Sequence, residues 1–61
     1  MTGRLIINYK NDSVLATANS GSLIIGDPSA GHITIDNNEI MAKATGTTAG
    51  ILYLNNEGGK V

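Results

Sequence analysis

The clearest structural signal in the chain is the run His32-Ile33-Thr34-Ile35-Asp36-Asn37-Asn38-Glu39-Ile40-Met41-Ala42-Lys43. Two largely apolar runs flank a polar tetrapeptide, and its central asparagines tolerate the positive φ of a two-residue hairpin turn. This turn fixes the register. The predicted cross-strand pairs are Ile35 with Ile40, Thr34 with Met41, Ile33 with Ala42 and His32 with Lys43. We expect the isoleucine side of this hairpin to be buried and the side that carries His32 to be mixed.

The N-terminal residues predict a second hairpin. Residues 4–9 and 14–18 are rich in apolar side chains, and Asn11-Asp12 suits the turn between them. The facing pairs expected in this register are Tyr9 with Val14, Ile7 with Ala16 and Leu5 with Ala18. We therefore expect residues 1–18 to form an N-terminal β-hairpin.

The remaining chain continues the same alternation of short apolar runs and Asn, Asp, Gly or Ser. Further strands are expected at residues 22–25 and 51–54, and Asp27-Pro28 suits a type I turn after the first of them. We predict an all-β fold of short strands and tight turns, in which residues 19–61 form one continuous unit.

The composition leaves little material for a hydrophobic core. The chain has 61 residues, no Cys, no Trp and no Phe, and its only aromatic side chains are Tyr9 and Tyr53. Small domains compensate with disulfides, a structural metal or oligomerisation. Because the chain has no Cys, disulfides and the commonest zinc ligand are both excluded. Self-association is the route that the sequence favours.

The charge of the chain is low and scattered, with four basic residues, five acidic residues and a formal net charge of −1. A nucleic-acid-binding surface needs a basic patch, whereas the basic residues lie far apart in the sequence. No apolar run approaches the length that spans a bilayer. We therefore expect neither nucleic-acid nor membrane partners.

A longer pattern resembles a module of tail fibre and tail-spike-like proteins of bacteriophages and prophages. Its elements are Ser22-Leu23-Ile24-Ile25-Gly26-Asp27, Gly31-His32-Ile33-Thr34-Ile35-Asp36-Asn37-Asn38-Glu39-Ile40-Met41-Ala42, Leu52-Tyr53-Leu54-Asn55 and Gly58-Gly59-Lys60-Val61. The resemblance implies a homotrimer of parallel, in-register chains about a threefold axis, as a β-prism or a triple-stranded β-helix. It also implies a place in the virion tail after synthesis in the bacterial cytoplasm. Lys60-Val61 begin a further strand, so we expect the chain to be a segment of a longer protein.

The function implied by this resemblance is structural: the module extends the fibre, and the parent fibre contacts a host receptor. The residues expected to face the interior or the threefold axis are Leu5, Ile7, Leu23, Ile25, Ile33, Ile35, Ile40, Leu52 and Leu54. Strand pairing within one chain and across chains both fit the same turns. Two alternatives stay open: a receptor- or glycan-binding module, and a non-catalytic fragment of a polysaccharide-degrading tail protein.

The sequence assigns no catalytic, cofactor-binding or metal-binding residue, and we do not expect an enzyme. His32 lacks a second histidine in H-x-H spacing, so a hydrogen-bonded strand histidine is favoured over a metal ligand shared by three chains. Residues 36–39 are explained by the hairpin turn and lack the pattern of a calcium loop. Asp27 and Glu57 are typical turn residues, and nothing in the sequence pairs them as the carboxylates of a glycosidase.

Two further motifs have ordinary explanations. Asn11-Asp12-Ser13 matches a glycosylation acceptor, which we expect to be a chance match in a hairpin tip. Tyr9 and Tyr53 are the only candidates for stacking on a sugar ring. Because their neighbours are apolar, packing at a subunit interface is favoured instead.

Overall fold

A three-stranded antiparallel sheet is the only sheet in the described part of the chain. The computed structural model describes residues 2–60, so Met1 and Val61, the last residue of the predicted C-terminal return, lie outside it. The strands are β1 (Leu23–Gly26), β2 (His32–Ile35) and β3 (Ile40–Lys43), in the spatial order β1-β2-β3. Residues 2–60 contain no helix, and therefore none that is long and apolar enough to cross a membrane. The all-β prediction is confirmed.

The β2–β3 hairpin has the predicted register. Ile35 pairs with Ile40 and His32 with Lys43, as the asparagine turn requires. The backbone N–H of Asp36 donates to the Glu39 carbonyl at 3.1 Å and closes the turn. The Asp36 carboxylate accepts from two backbone N–H groups inside the turn, so this acidic side chain acts as a local turn-former.

The β1–β2 connection uses the predicted Asp-Pro turn. The N–H of Ala30 donates to the Asp27 carbonyl at 2.9 Å, and the Asp27 carboxylate accepts from the N–H and the hydroxyl of Ser29. Gly26 enters the turn with a φ of +113°, in the region that favours glycine. The turn pairs Leu23 with Ile35.

The predicted N-terminal hairpin does not form in the single chain. Residues 4–9 form no strand, and residues 14–18 form a turn in which the N–H of Thr17 donates to the Val14 carbonyl at 3.2 Å. The physical reason is competition for the backbone. The Ser20 hydroxyl accepts from the N–H of Val14 at 2.9 Å and lies 3.0 Å from the Val14 and Thr17 carbonyls. The division of the chain into two units, residues 1–18 and residues 19–61, stays a prediction.

The strand predicted at residues 51–54 is also absent within the single chain. Only an isolated bridge between Lys43 and Ala49 extends the sheet beyond β3. The chain after this bridge has no partner strand among residues 2–60 and turns at residues 54–59.

The burial of the two faces of the sheet in the single chain is the reverse of the expectation. The buried residues are two glycines, Gly21 and Gly46, and five polar residues: Ser13, Ser20, His32, Thr34 and Lys43. No apolar side chain among residues 2–60 is buried. We call residues 13–21 the covering loop, because they contact the His32–Thr34–Lys43 side. The isoleucine side, predicted to be buried, has no buried residue in the single chain.

Candidate functional site

The buried side of the sheet is organised around the ammonium group of Lys43. This residue is 3% exposed. Its Nζ donates to the carbonyl oxygens of Val14 at 2.7 Å, Thr17 at 2.9 Å and Gly46 at 3.1 Å, and lies 3.4 Å from the Ser20 hydroxyl. All four partners are uncharged oxygens whose dipoles point at the ammonium. The charge therefore ties the covering loop and the segment after β3 to one point on the sheet.

Thr34 is the second anchor of the covering loop and is fully buried. Its hydroxyl donates to the Ser20 carbonyl, so the Ser13 hydroxyl, 3.0 Å away, donates to Thr34. Gly21 passes so close that a Cβ there would lie 1.8 Å from Thr34 Oγ1, and its φ is +111°. The covering loop follows this path only with glycine at residue 21.

His32 completes the buried side and shows no catalytic arrangement. The ring nitrogen Nδ1 lies 2.8 Å from the Ala30 carbonyl. Since a carbonyl oxygen only accepts, Nδ1 carries the proton. The Nε2 atom is buried and has no hydrogen-bond partner within the described residues. The ring therefore braces the β1–β2 connection.

The opposite side of the sheet is a continuous apolar surface. Residues that pair directly in an antiparallel sheet point to the same side. The side chains on this surface are Leu23, Ile25, Ile33, Ile35, Ile40 and Ala42. We call this set the apolar face. None of its members is buried, and Ile25 and Ile40 are 59% and 55% exposed. The sequence identified these residues as a common face, but in the single chain four of them are only half-buried and the other two, Ile25 and Ile40, are exposed.

Two segments outside the sheet add to the exposed apolar surface. Leu5 in the N-terminal segment is 75% exposed, and Ile51 in the C-terminal segment is 71% exposed. Ile7, Leu52 and Leu54 were also expected to face inward, and all three are exposed in the single chain. The surplus of apolar surface is therefore spread over the apolar face and both flanking segments.

An acidic cluster lies at one end of the sheet, where Asp12 joins the two acids of the β2–β3 turn. Ligand atoms of Asp12, Asp36 and Glu39 all lie within 4.8 Å of one another. The backbone N–H groups of Asn38 and Ser13 hold the pKa of Asp36 well below its usual range. A shared hydrogen bond with Asp36 raises the pKa of Asp12 and of Glu39.

The role of this cluster is visible in its hydrogen bonds. Both oxygens of Asp36 already accept backbone N–H groups, including that of Ser13 at 2.8 Å, which starts the covering loop. Asp36 therefore fastens the loop to the hairpin turn. Sequence reasoning identified residues 36–39 as a turn but missed Asp12, because no local pattern shows a contact across 24 residues.

The other candidates from the sequence lie apart from these features. The Asp27 carboxylate accepts hydrogen bonds from Ser29, and these lower the pKa of Asp27. Glu57 lies in a separate turn near the C-terminus. The Tyr9 hydroxyl accepts a hydrogen bond from the Asn11 amide at 3.2 Å, and Tyr53 is exposed. A cleft of about 650 Å³ opens between residues 7–12 and the Ile35 end of the sheet.

Comparisons with known protein families, curated proteins and solved structures found no match. The functional argument therefore depends on the chain's own surface, and the apolar face is its most distinctive feature.

Proposed function

We propose that this chain is a structural module that associates with copies of itself through the apolar face. The observation that supports the proposal is the contrast between the two sides of the sheet. Every member of the apolar face is an aliphatic residue that remains unburied, whereas the buried side chains are polar. Soluble monomers rarely expose contiguous apolar patches, and such patches mark interaction sites.

The energetic reason is the burial of large side chains. Removing an exposed isoleucine side chain from water contributes ~1.5–3 kcal/mol. A single chain with no buried apolar residue in the described part obtains little of this stabilisation. Association of copies supplies it at the surface where the unburied isoleucines are concentrated.

The assembly that we propose is a parallel homotrimer within a phage tail fibre. Its support is the resemblance of residues 22–61 to tail fibre modules, together with the apolar face, which suits packing about a symmetry axis. In this role the chain holds three copies in register and extends the fibre. It performs no catalysis, and host attachment belongs to the parent fibre.

The role of the apolar face is tested by an Ile25→Thr, Ile40→Thr double variant. Threonine keeps β propensity, so the sheet persists while apolar contact is lost. We expect the dissociation constant of the oligomer, measured by sedimentation equilibrium, to rise on the order of tenfold to a hundredfold. Leu15→Thr is the matched control, because Leu15 is a partly exposed apolar residue on the covering loop. Equal dissociation constants for all three proteins would contradict the proposal.

The place in a phage tail is tested separately, by mass spectrometry of phage particles purified from the culture that produces the chain. Trypsin releases residues 44–60 as one peptide between Lys43 and Lys60. We expect this peptide in the particles at a ratio of three copies per fibre. Its presence only in the particle-free lysate would contradict the fibre role and leave self-association intact.

A second candidate function is recognition of a glycan by the cleft beside residues 7–12. Tyr9 offers an aromatic ring, and Asn11 and Asp12 offer polar groups of the kind that bind sugar hydroxyls. Binding to immobilised bacterial polysaccharide that is lost in Tyr9→Ala and kept in Tyr53→Ala would favour this function. Equal binding by both variants would exclude the cleft.

A further inference from the structure

The sheet has one open edge, and it belongs to β1. No backbone hydrogen bond outside the β1–β2 ladder involves residues 23–26 in the described part of the chain. The opposite edge is partly covered. There the N–H of Gly50 donates to the Ala42 carbonyl at 2.9 Å, and the N–H of Ala44 donates to the Thr48 carbonyl at 2.9 Å. An open edge presents unpaired N–H and C=O groups to any extended segment that reaches it.

The chain also contains a segment whose backbone has no hydrogen-bond partner among the described residues. We call residues 51–54 the donor segment; its sequence is Ile51-Leu52-Tyr53-Leu54. Isoleucine and tyrosine are among the residues enriched in strands. All four side chains are exposed, and no backbone hydrogen bond in residues 2–60 involves the segment. Its composition favours a strand, and only the partner strand is missing.

The donor segment leaves the sheet at the β3 edge, whereas the open edge is that of β1. The segment leaves next to β3, because Gly50 is bonded to Ala42. A Cβ on Gly50 would lie 2.9 Å from the Lys43 carbonyl carbon, so this exit is closely packed. The strands β1 and β3 are two spacings, about 10 Å, apart. To pair with its own β1, the donor segment must first cross the sheet, whereas the β1 of a neighbouring copy imposes no such crossing.

The size of the apolar face points the same way. Three strands of four residues cover a backbone area of about 13 Å by 14 Å, or roughly 180 Å², whereas a stable interface buries about 800 Å² on each partner. The apolar face therefore supplies only part of an interface of that size. A strand added at its edge enlarges the face and contributes backbone hydrogen bonds.

We infer that the donor segment of one copy adds to β1 of the next copy as a fourth strand. This inference rests on the proposed self-association and specifies which parts of two copies meet. Such a contact is head-to-tail, and it forms a closed ring when the rotation between copies closes. Alternation along the strand directs either Ile51 and Tyr53 or Leu52 and Leu54 to the side of the neighbour's apolar face.

Proline substitutions test the strand pairing. Successive N–H groups in a strand point in opposite directions, so only one of Leu52 and Tyr53 donates to β1. We expect one of Leu52→Pro and Tyr53→Pro to raise the dissociation constant of the oligomer about tenfold more than the other. Ile6→Pro is the matched control, since Ile6 is an exposed apolar residue in the other segment that forms no strand. An oligomer that is unaffected by both variants, or equally weakened by Ile6→Pro, would overturn the inference and leave self-association standing.

Engineered cysteines identify the neighbour directly, because the chain has no Cys of its own. Ile24→Cys is mixed in turn with Ile51→Cys, Leu52→Cys, Tyr53→Cys and Leu54→Cys under mild oxidation. We expect a mixed disulfide dimer for at least one pair and none for Ile24→Cys with Ile6→Cys, since a disulfide needs Cα atoms within about 7 Å. Disulfides between two Ile24→Cys chains alone would indicate β1–β1 pairing and overturn the inference. A wild-type chain that stays monomeric would overturn both the inference and the proposed function.

Discussion

On one side of the sheet Thr34 and Lys43 lie buried beneath the covering loop, while on the other side Ile25 and Ile40 are more than half exposed. The covered side is held by directional hydrogen bonds, in which Thr34 and Lys43 donate to particular oxygens of residues 13–21. The apolar face needs only area, and two of its members, Ile25 and Ile40, stay exposed in the described chain. The buried hydroxyl of Thr34 and the ammonium of Lys43 thus find partners within the described chain, whereas the apolar face stays partly exposed and, in our proposal, is buried by association.

The largest effect on the covered side is expected from Gly21→Ala. The new Cβ would lie 1.8 Å from Thr34 Oγ1 at a φ of +111°, so the covering loop must move away from the sheet. We expect a loss of about 3–4 kcal/mol in the free energy of unfolding, from backbone strain and broken buried hydrogen bonds. Urea unfolding followed by circular dichroism measures it. Gly59→Ala is the control, because a Cβ there meets nothing within 4 Å. Equal midpoints would show that the loop does not cover Thr34.

Lys43→Met tests whether the ammonium holds the covered side together. The substitution keeps the length of the side chain but leaves the carbonyls of Val14, Thr17 and Gly46 without their donor. We expect the unfolding free energy to fall by roughly 3 kcal/mol, the cost of several buried unsatisfied acceptors. Lys60→Met, at an exposed lysine, provides the reference. A Lys43→Met protein as stable as Lys60→Met would refute the role of the charge.

The register of β2 and β3 was predictable because the Asn37-Asn38 turn and the alternation of side chains are both local signals. The side of the sheet that is covered within the single chain was not predictable. Its cover depends on contacts between residues far apart in the sequence, such as Lys43 with Val14, 29 residues away. No spacing or composition marks such a pair. The usual assumption that the apolar side is buried also fails when the burial requires another copy.

The sequence predicted which residues form the candidate association surface, but it did not predict that they stay unburied in the single chain. The sequence placed Leu23, Ile25, Ile33, Ile35 and Ile40 on a common inward surface, and the structure puts them on one face. The strands at residues 4–9 and 51–54 were assigned from composition alone. Composition predicts the tendency to form a strand, whereas a strand also needs a partner, and within residues 2–60 neither segment has one.

Asp36→Asn tests the attachment of the covering loop to the hairpin turn. Because hydrogen bonds depress the folded-state pKa of Asp36, its contribution is fully present above the ordinary aspartate pKa of about 3.9 and is lost as pH falls through the depressed value. We expect the wild type to lose stability below about pH 4. We expect Asp36→Asn to be less stable than the wild type at pH 7, and its stability to depend less on pH. Thermal unfolding from pH 2 to pH 7 measures both curves. Parallel curves would contradict the role of the carboxylate.

The smallest effect is expected from Asp12→Asn, and its sign is opposite. The hydrogen bond to Asp36 raises the folded-state pKa of Asp12, so the stabilisation is present below the ordinary pKa and is lost as pH rises through the raised value. We expect Asp12→Asn to melt at a slightly higher temperature than wild type at pH 7 and at the same temperature near pH 3. Glu57→Gln, in a separate exposed turn, is the control. A variant that is less stable at pH 7 would show that Asp12 does not repel Asp36.

The difference between the two sides of the sheet has one further consequence, for the mass of the wild-type chain in solution. Because the apolar face is completed only by other copies, sedimentation equilibrium over a range of concentrations should give three times the 6.3 kDa chain mass, with a melting temperature that rises with concentration. A particle of 6.3 kDa that unfolds cooperatively at a temperature independent of concentration would contradict the account.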